Sequence, residues 1–303
     1  MSRSSLLALL TLALLAGVVP VAADGPERVR DATVIAHRGA SAYAPENTLP
    51  AVDLGIDMGA PLVEIDIQLS ADREIVVLHD ATLGRTTDVE DHLLAVDPRQ
   101  LYPHVAFFHS AELAELDAGC WGRFADSEYC GTHVPTLAET LDLFTEHPDV
   151  GLLIEVKSPA EHPGIEPLLV LVAELQARVA AGETNPHVVQ SFDWQSMQRF
   201  DVLQQEAGLD YPVGLLGTVN EVDFDTYAWA DQVNPNHGSL TAEYVAAAHA
   251  SGFSVNPYTV NDACRMAALI DDIGVDGVIT DRPDLMQRVL APDTAMQATL
   301  ETC

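Results

Sequence analysis

The chain has little positive charge and almost no lysine. Its 303 residues contain 14 Lys and Arg against 46 Asp and Glu, which gives a formal net charge of −32. This shortage of basic residues excludes a nucleic-acid-binding surface of the usual kind, which is rich in Lys and Arg. Thirteen of the 14 basic residues are Arg, so Lys157 is the one lysine in the sequence. The position of this single ammonium group is therefore of interest.

The sequence also lacks the marks of a disordered chain and of a linker between domains. With 48% hydrophobic and 20% charged residues, it has enough apolar material for a core. No Pro/Ser-rich stretch or change of composition divides residues 24–303, which we expect to form a single domain. Beyond the N-terminus no stretch reaches the ~20 apolar residues of a membrane-spanning helix, so stable membrane insertion is not expected.

The first 23 residues are typical of a secretory signal peptide. An apolar run over 6–19 is followed by Pro20 and by small residues up to Ala23, after which cleavage is expected. A membrane-anchoring helix is the alternative, but the run is shorter than such a helix needs. We expect the mature chain outside the cytoplasm, either periplasmic or extracellular.

Cysteine is scarce, and its four positions suit disulfides, which persist in an oxidising compartment. Cys120 and Cys130 lie ten residues apart in a loop-like stretch, so a local bridge is expected. Cys264 on a predicted helix and Cys303 could form a second bridge. A zinc site is the competing interpretation, but the spacing lacks the paired short gaps of such sites.

Runs of β-branched apolar residues alternate with amphipathic helical stretches along the chain. About eight such units in roughly 280 residues favour a (β/α)₈ TIM barrel over an open doubly wound sheet. A long non-periodic stretch, about residues 88–130, is predicted to be an insertion after the second barrel strand, and insertions of this length are usually lids or binding loops. The predicted strands cover residues 33–36, 62–67, 75–78, 152–156, 187–190, 213–216, 231–234, 253–256 and 277–280.

Three carboxylates lie on neighbouring predicted strands. Glu64 and Asp66 are two residues apart, which places both on the same face of one strand, and Glu155 comes from the strand expected to neighbour it in the barrel. Unpaired charge inside a barrel is costly. Three carboxylates there need a cation, and oxygen ligands suit a hard divalent ion, so the sequence predicts a site for Ca²⁺ or Mg²⁺. The alternative is that each carboxylate pairs with a nearby Arg or Lys.

Histidines and basic residues occupy the same ends of the predicted strands. His37 and Arg38 follow the first strand, His79 follows the short third strand, and Lys157 lies two residues beyond Glu155. Since the C-terminal ends of barrel strands open onto one mouth, these side chains should converge there. The sequence therefore predicts an active site at the barrel mouth.

An ordered set of motifs resembles the glycerophosphodiester phosphodiesterase family and spans essentially all of residues 24–303. The motifs include AHRGA at 36–40, APENT at 44–48, VEID at 63–66, VLHDATLGRTT at 77–87, IEVK at 154–157, VNPYTVN at 255–261 and GVDGVITDRP at 274–283. Departures are Tyr258 where the family commonly has Trp, and Ser70 and Arg73 on a turn between Asp66 and His79.

The resemblance implies hydrolysis of glycerophosphodiesters to sn-glycerol 3-phosphate and an alcohol. It implies a divalent metal on Glu64, Asp66 and Glu155, His37 and His79 as the acid–base pair, and Arg38 and Lys157 on the phosphate. Two nucleophiles stay open, water and the glycerol hydroxyl, of which the second would form a cyclic phosphate. Which histidine is the base also stays open. The alcohol group and the oligomeric state also stay open.

Five further residues around this site have expected roles. Glu46 could touch the metal or substrate, cap a helix or orient His37. Tyr258 and Asn256 could pack against the glycerol. Arg85 is expected to brace its loop, and Asp281 is expected to be a structural cap.

Two other functions are compatible with the sequence. A related barrel phospholipase of the D or C type, acting on lysophospholipid or intact lipid, predicts an exposed apolar loop at the mouth, for which residues 101–102 and 105–108 are candidates. A non-catalytic barrel that binds phosphorylated ligands would have no need for the complete set of ionisable residues.

Overall fold

The computed structural model describes residues 30–93, 97–157, 166–218 and 223–303. The expected signal peptide, residues 1–23, lies outside these ranges. The strands are β1 (Thr33–Ala36), β2 (Leu62–Leu69), β3 (Ile75–Val77), β4 (Gly151–Val156), β5 (Val188–Ser191), β6 (Val213–Gly217), β7 (Gln232–Pro235), β8 (Ser254–Val255) and β9 (Gly277–Thr280). The α-helices are α1 (Leu49–Asp57), α2 (Val89–His92), α3 (Ser110–Leu113), α4 (Leu137–Asp142), α5 (Glu166–Ala180), α6 (Trp194–Glu206), α7 (Ala242–Ala250), α8 (Ala263–Ala268), α9 (Pro283–Leu290) and α10 (Thr294–Leu300).

Eight of these strands form a nearly closed parallel barrel. Their order is β8-β7-β6-β5-β4-β2-β1-β9. The two ends of this order meet through backbone hydrogen bonds from the Asp276 N–H to the Val255 carbonyl and from the Ile279 N–H to the Pro257 carbonyl, both 3.0 Å. The predicted (β/α)₈ barrel is confirmed. The short strand β3 pairs antiparallel with β2 and so forms a hairpin beside the barrel.

Strand alternation separates the outer core from the barrel interior, because successive side chains point to opposite faces. The outward side chains of β2, such as Val63 and Ile65, pack with the helices in the main hydrophobic core. Inside the barrel, a smaller apolar cluster is formed by Ile35, Leu153, Val188 and Ile279. The next position on the same face of each of these strands is polar, and these residues are His37, Glu155, Gln190 and Asp281.

The segment between β3 and α4 contains the predicted insertion and has an apolar core of its own. It consists largely of short helical turns at residues 83–85, 89–92, 98–101, 105–107, 110–113 and 122–124. Turns of three or four residues are too short to show a helical period in sequence. Their buried side chains pack with the β3 hairpin in a cluster of Val76, Leu78, Leu83, Val89, Val105, Phe108, Leu113, Leu116, Ala118 and Val134.

Both predicted disulfides are present. Cys120 and Cys130 close a ten-residue loop with Cα atoms 4.4 Å apart. Cys264 on α8 joins Cys303 beyond α10 with a Cα separation of 5.4 Å. In the described ranges, no helix combines the length and apolar character needed to cross a bilayer.

Candidate active site

The three predicted carboxylates lie together inside the barrel mouth. In the parallel register of β2 and β4, Asp66 is opposite Glu155, and Glu64 lies two residues earlier on the same face. One oxygen from each of the three carboxylates falls within 4.8 Å of the others. Their exposed fractions are 1% for Glu64, 0% for Asp66 and 7% for Glu155. The barrel therefore buries three negative groups in one cluster.

Positive side chains compensate only part of this charge. The Lys157 ammonium lies 2.6 Å from both Asp66 Oδ1 and Glu155 Oε1, and Arg38 Nε lies 3.2 Å from Asp66 Oδ2. Glu64 accepts the Arg38 backbone N–H at 2.8 Å. The nearest basic group to it in the described chain is His37, at 4.0 Å. The alternative of paired carboxylates thus holds for two of the three residues.

The pKa values of the cluster reflect this shortage of positive charge. Burial, together with the charges of Asp66 and Glu155, raises the pKa of Glu64 well above its usual value. Burial and Asp66 raise the pKa of Glu155 to about 7. For Asp66, Lys157 and Arg38 outweigh burial and lower the pKa. Three converging oxygens that are short of positive charge fit a hard divalent cation.

His37 is held by a carboxylate from the opposite end of the chain. Its Nδ1 lies 2.6 Å from Asp281 Oδ1, and Asp281 also accepts hydrogen bonds from Ser41 and Asn261. Burial opposes ionisation of Asp281, but these hydrogen bonds outweigh it and lower the pKa to about 2. The expectation that Asp281 is a structural cap is wrong, because α9 begins without a side-chain cap and Asp281 instead orients His37.

His79 has a similar partner in the next residue. Its Nδ1 lies 2.6 Å from Asp80 Oδ1, and Arg85 Nε lies 2.5 Å from Asp80 Oδ2. Burial, with the charges of Lys157 and Arg38, lowers the pKa of His79 despite the opposing effects of Asp66 and Asp80. With Nδ1 directed at a carboxylate, the Nε2 atom of each histidine is left to act on a ligand.

Glu46 connects the two basic residues Arg38 and Arg85. Its carboxylate accepts one hydrogen bond from Arg38 at 2.8 Å and two from Arg85 at 2.7 and 3.0 Å. Helix α1 is capped by Thr48, and Asp281 holds His37, so Glu46 performs neither of those two expected tasks. Arg85 joins Asp80 to Glu46 and braces its loop as expected.

A cavity of about 200 Å³ opens above the carboxylates. Its lining includes His37, Arg38, Glu64, His79, Glu155 and Tyr258. A second compartment of about 390 Å³ adjoins it and includes Lys157. Asn256 lines neither compartment. It is 5% exposed and donates to Asn234 and Gln232 at the barrel interior, so packing against a ligand is not its role.

Sequence reasoning identified most of this site but assigned no role to three of its members, Asp80, Gln190 and Phe192. Asp80 follows His79 directly, and that adjacency was the available signal for its role. Gln190 and Phe192, which line the cavity, lie at and just after the C-terminal end of β5, where barrel sites are built.

The model of the glycerophosphoryl diester phosphodiesterase family matches residues 37–285, which include every residue of the site described above. The chain belongs to this family. A glycerophosphodiester phosphodiesterase of Bacillus subtilis is 33% identical to it, covering 95% of this chain and 99% of the relative. One from Caldanaerobacter subterraneus is 32% identical, covering 84% and 95% respectively.

Solved structures of the glycerophosphoryl diester phosphodiesterase family share the fold. A phosphodiesterase from Oleispira antarctica, solved in complex with the product sn-glycerol-3-phosphate, superposes with a TM-score of 0.72 at 27% identity, covering 86% of this chain and 97% of that one. Family membership makes the chain a phosphoric diester hydrolase, as the motifs predicted.

Proposed function

We propose that this family member is a secreted, divalent-metal-dependent glycerophosphodiester phosphodiesterase. It hydrolyses a glycerophosphodiester to sn-glycerol 3-phosphate and an alcohol. One observation carries the proposal: two members of the buried carboxylate cluster, Glu64 and Glu155, line a cavity together with two carboxylate-oriented histidines and Arg38. The product complex of the Oleispira relative supports the choice of glycerol phosphate.

Glu64, Asp66 and Glu155 would hold the metal, which we expect to be Ca²⁺ or Mg²⁺ because all three donors are carboxylate oxygens. Such an ion neutralises charge on phosphate oxygens and makes a bound hydroxyl or water more acidic. The partial compensation by Lys157 and Arg38 leaves the cluster with the excess of negative charge that a divalent cation needs.

The chain's own basic groups stabilise the negative charge of the phosphate. Arg38 lines the cavity and is fixed by Glu46 and Asp66, and Lys157 lines the adjoining compartment. Groups held in position before the substrate arrives need no rearrangement as negative charge develops on the non-bridging oxygens. We therefore assign both residues to phosphate binding.

His37 and His79 serve as the acid–base pair. One Nε2 takes the proton of the attacking hydroxyl while the new P–O bond forms. The other donates a proton to the alcohol oxygen as its bond to phosphorus breaks. Asp281 and Asp80 fix the two rings through Nδ1. Tyr258 lines the cavity just beyond β8 and would contact the glycerol.

Two attacking hydroxyls fit this arrangement, the glycerol hydroxyl of the substrate and water. Attack by the glycerol hydroxyl forms a cyclic phosphate, which water then opens. ³¹P NMR during turnover distinguishes them, since direct attack by water produces no cyclic species.

Export is supported by the N-terminal sequence and by the two disulfides, which are stable in an oxidising compartment. N-terminal sequencing of protein recovered from outside the cytoplasm should begin at Asp24. An N-terminus at Met1 would contradict cleavage.

A second candidate is a related phospholipase, because the insertion exposes apolar side chains near the mouth. Leu101, Tyr102 and Phe107 are 92%, 55% and 54% exposed. The two functions are separated by incubating the purified protein, with and without chelator, with glycerophosphocholine and with a lysophospholipid. Metal-dependent release of glycerol 3-phosphate from the first supports the proposal, and turnover of the lipid alone supports the phospholipase. No turnover of either excludes both.

A further inference from the structure

The site has two compartments that meet at a shared wall. His79, Glu155 and Phe192 line both of them. The first compartment, of about 200 Å³, also contains His37 and Tyr258. The second, of about 390 Å³, extends toward Tyr102 of the insertion. A phosphodiester has two arms on one phosphorus, so a phosphate at the shared wall places one arm in each compartment.

We propose that the wider compartment is the subsite for the alcohol arm, and that it selects an alcohol bearing a quaternary ammonium group. This inference rests on the proposed function. Glycerol, the constant arm of the substrate, suits the smaller compartment beside Tyr258. The variable arm then lies between the side chains of Tyr102 and Phe192.

The lining of the alcohol subsite has the chemistry that recognises such a cation. Tyr102 and Phe192 both line the subsite and are 55% and 52% exposed, so a ligand can reach their side chains. Aromatic faces attract quaternary ammonium groups, which have no N–H to satisfy. Of the two carboxylates in the lining, Glu155 belongs to the metal cluster and Asp80 is paired with Arg85, so the two rings carry the recognition. Lys157 is the one Lys or Arg among the described lining residues. Two carboxylates at 2.6 Å already offset that ammonium.

The charge of the whole chain favours the same substrate. The net charge of −32 repels a diester that carries the phosphate charge alone. A diester with a quaternary ammonium group is neutral overall, and its cationic end is attracted to the acidic surface.

The test compares two substrates of the same shape. sn-Glycero-3-phosphocholine carries the ammonium, and its 3,3-dimethylbutyl analogue replaces the nitrogen with carbon. We expect kcat/KM to favour the choline ester about five- to tenfold in the wild-type enzyme, as two exposed cation–π contacts allow. Phe192→Leu and Tyr102→Leu keep an apolar side chain without the ring. Each should lower this ratio, and the double variant should bring it near one.

Phe107→Leu is the matched control, because Phe107 is an exposed ring of the same insertion that does not line the subsite. It should leave the ratio unchanged. Since the ratio is taken within one variant, partial loss of folded protein does not affect it.

The outcomes separate the two proposals. Equal turnover of the two esters by the wild type overturns the inference alone. So does an unchanged ratio in the double variant, or a higher kcat/KM for glycerophosphoinositol than for the choline ester. Failure to hydrolyse any glycerophosphodiester in the presence of Mg²⁺ or Ca²⁺ overturns the proposed function, and the inference with it.

Discussion

At the scale of single residues, each of the two histidines is oriented by a carboxylate on the far side of its ring. Asp281 does this for His37 at 2.6 Å and Asp80 for His79 at 2.6 Å. Such a partner fixes the tautomer and the direction of the other ring nitrogen. Both carboxylates are therefore positioning residues, and their loss should affect turnover more than substrate binding.

Asp281→Asn should reduce kcat by roughly 10- to 100-fold with little change in KM, because the amide keeps the shape but loses the carboxylate that fixes the orientation of the His37 ring. Steady-state kinetics on glycerophosphocholine measure the effect. Asp284→Asn is the control, because Asp284 lies three residues after Asp281 and outside the cavity lining. Its carboxylate accepts a hydrogen bond from the Tyr43 hydroxyl at 2.6 Å. Full kcat in Asp281→Asn would refute the positioning role.

The pH dependence of kcat/KM should reflect the pKa of His79. Its pKa is lowered from 6.5, chiefly by burial, so the limb of the kcat/KM profile that depends on His79 should lie below pH 6.5, as an acid limb if His79 is the base and as an alkaline limb if it is the acid. Asp80 raises this pKa through its hydrogen bond. Asp80→Asn should therefore move this limb to still lower pH, whatever its effect on the maximum rate. A limb that moves to higher pH would contradict this account.

The raised pKa of Glu155 predicts how the stability of the metal-free protein depends on pH. Its pKa is raised from 4.5 to about 7 in the folded state, so folding is favoured by its protonated form. That stabilisation is complete below pH 4.5 and is lost as the pH rises toward 7. Chelated protein should melt at a lower temperature at pH 7 than at pH 5. Glu155→Gln should flatten this difference, and a steeper dependence in the variant would contradict it.

The sequence identified the side chains that face the cavity better than their supporting partners. His37, Glu64, Asp66, His79 and Glu155 could be predicted because a period of two and a strand end place each of them at the mouth. The pairing of His37 with a residue 244 positions away depends on how the barrel closes. No local pattern contains that information, and so Asp281 was assigned to a cap.

At the scale of elements, the loop closed by Cys120 and Cys130 supports both histidines. Arg123 in this loop donates to the Ser41 carbonyl, and the Ser41 hydroxyl donates to Asp281. Trp121 lies with its ring centroid 5.7 Å from the Arg85 guanidinium carbon, and Arg85 binds Asp80. The sequence predicted the bridge but not these contacts, because they depend on how the insertion folds back on the mouth.

Opening this loop should lower activity while the barrel stays folded. We expect Cys120→Ser/Cys130→Ser to reduce kcat several-fold, because Arg123 and Trp121 lose their fixed positions. Cys264→Ser/Cys303→Ser is the matched control. Either double variant should lose roughly 2–4 kcal/mol of stability, but the second should keep its kcat because that bridge lies beyond the cavity lining. Equal kcat values for the two would refute the supporting role of the loop.

At the scale of the whole molecule, the net charge of −32 opposes both folding and the approach of anions. Salt screens such repulsion, with a Debye length of about 10 Å at 0.1 M. We therefore expect the unfolding temperature of the protein to rise as NaCl increases from about 0.05 M toward 1 M. Thermal unfolding followed by circular dichroism measures this, and an unfolding temperature that falls with salt would contradict the destabilising effect of the net charge.

The closure of the barrel joins the first strand to the last, and the pairing of His37 with Asp281 depends on that closure. A nascent chain lacks this pair until its final strand has been made and has docked. A chain that is kept unfolded for export would therefore be inert while it is still inside the cell. The phosphodiesters inside the producing cell would then not be hydrolysed, and hydrolysis would begin only where the chain completes its folding.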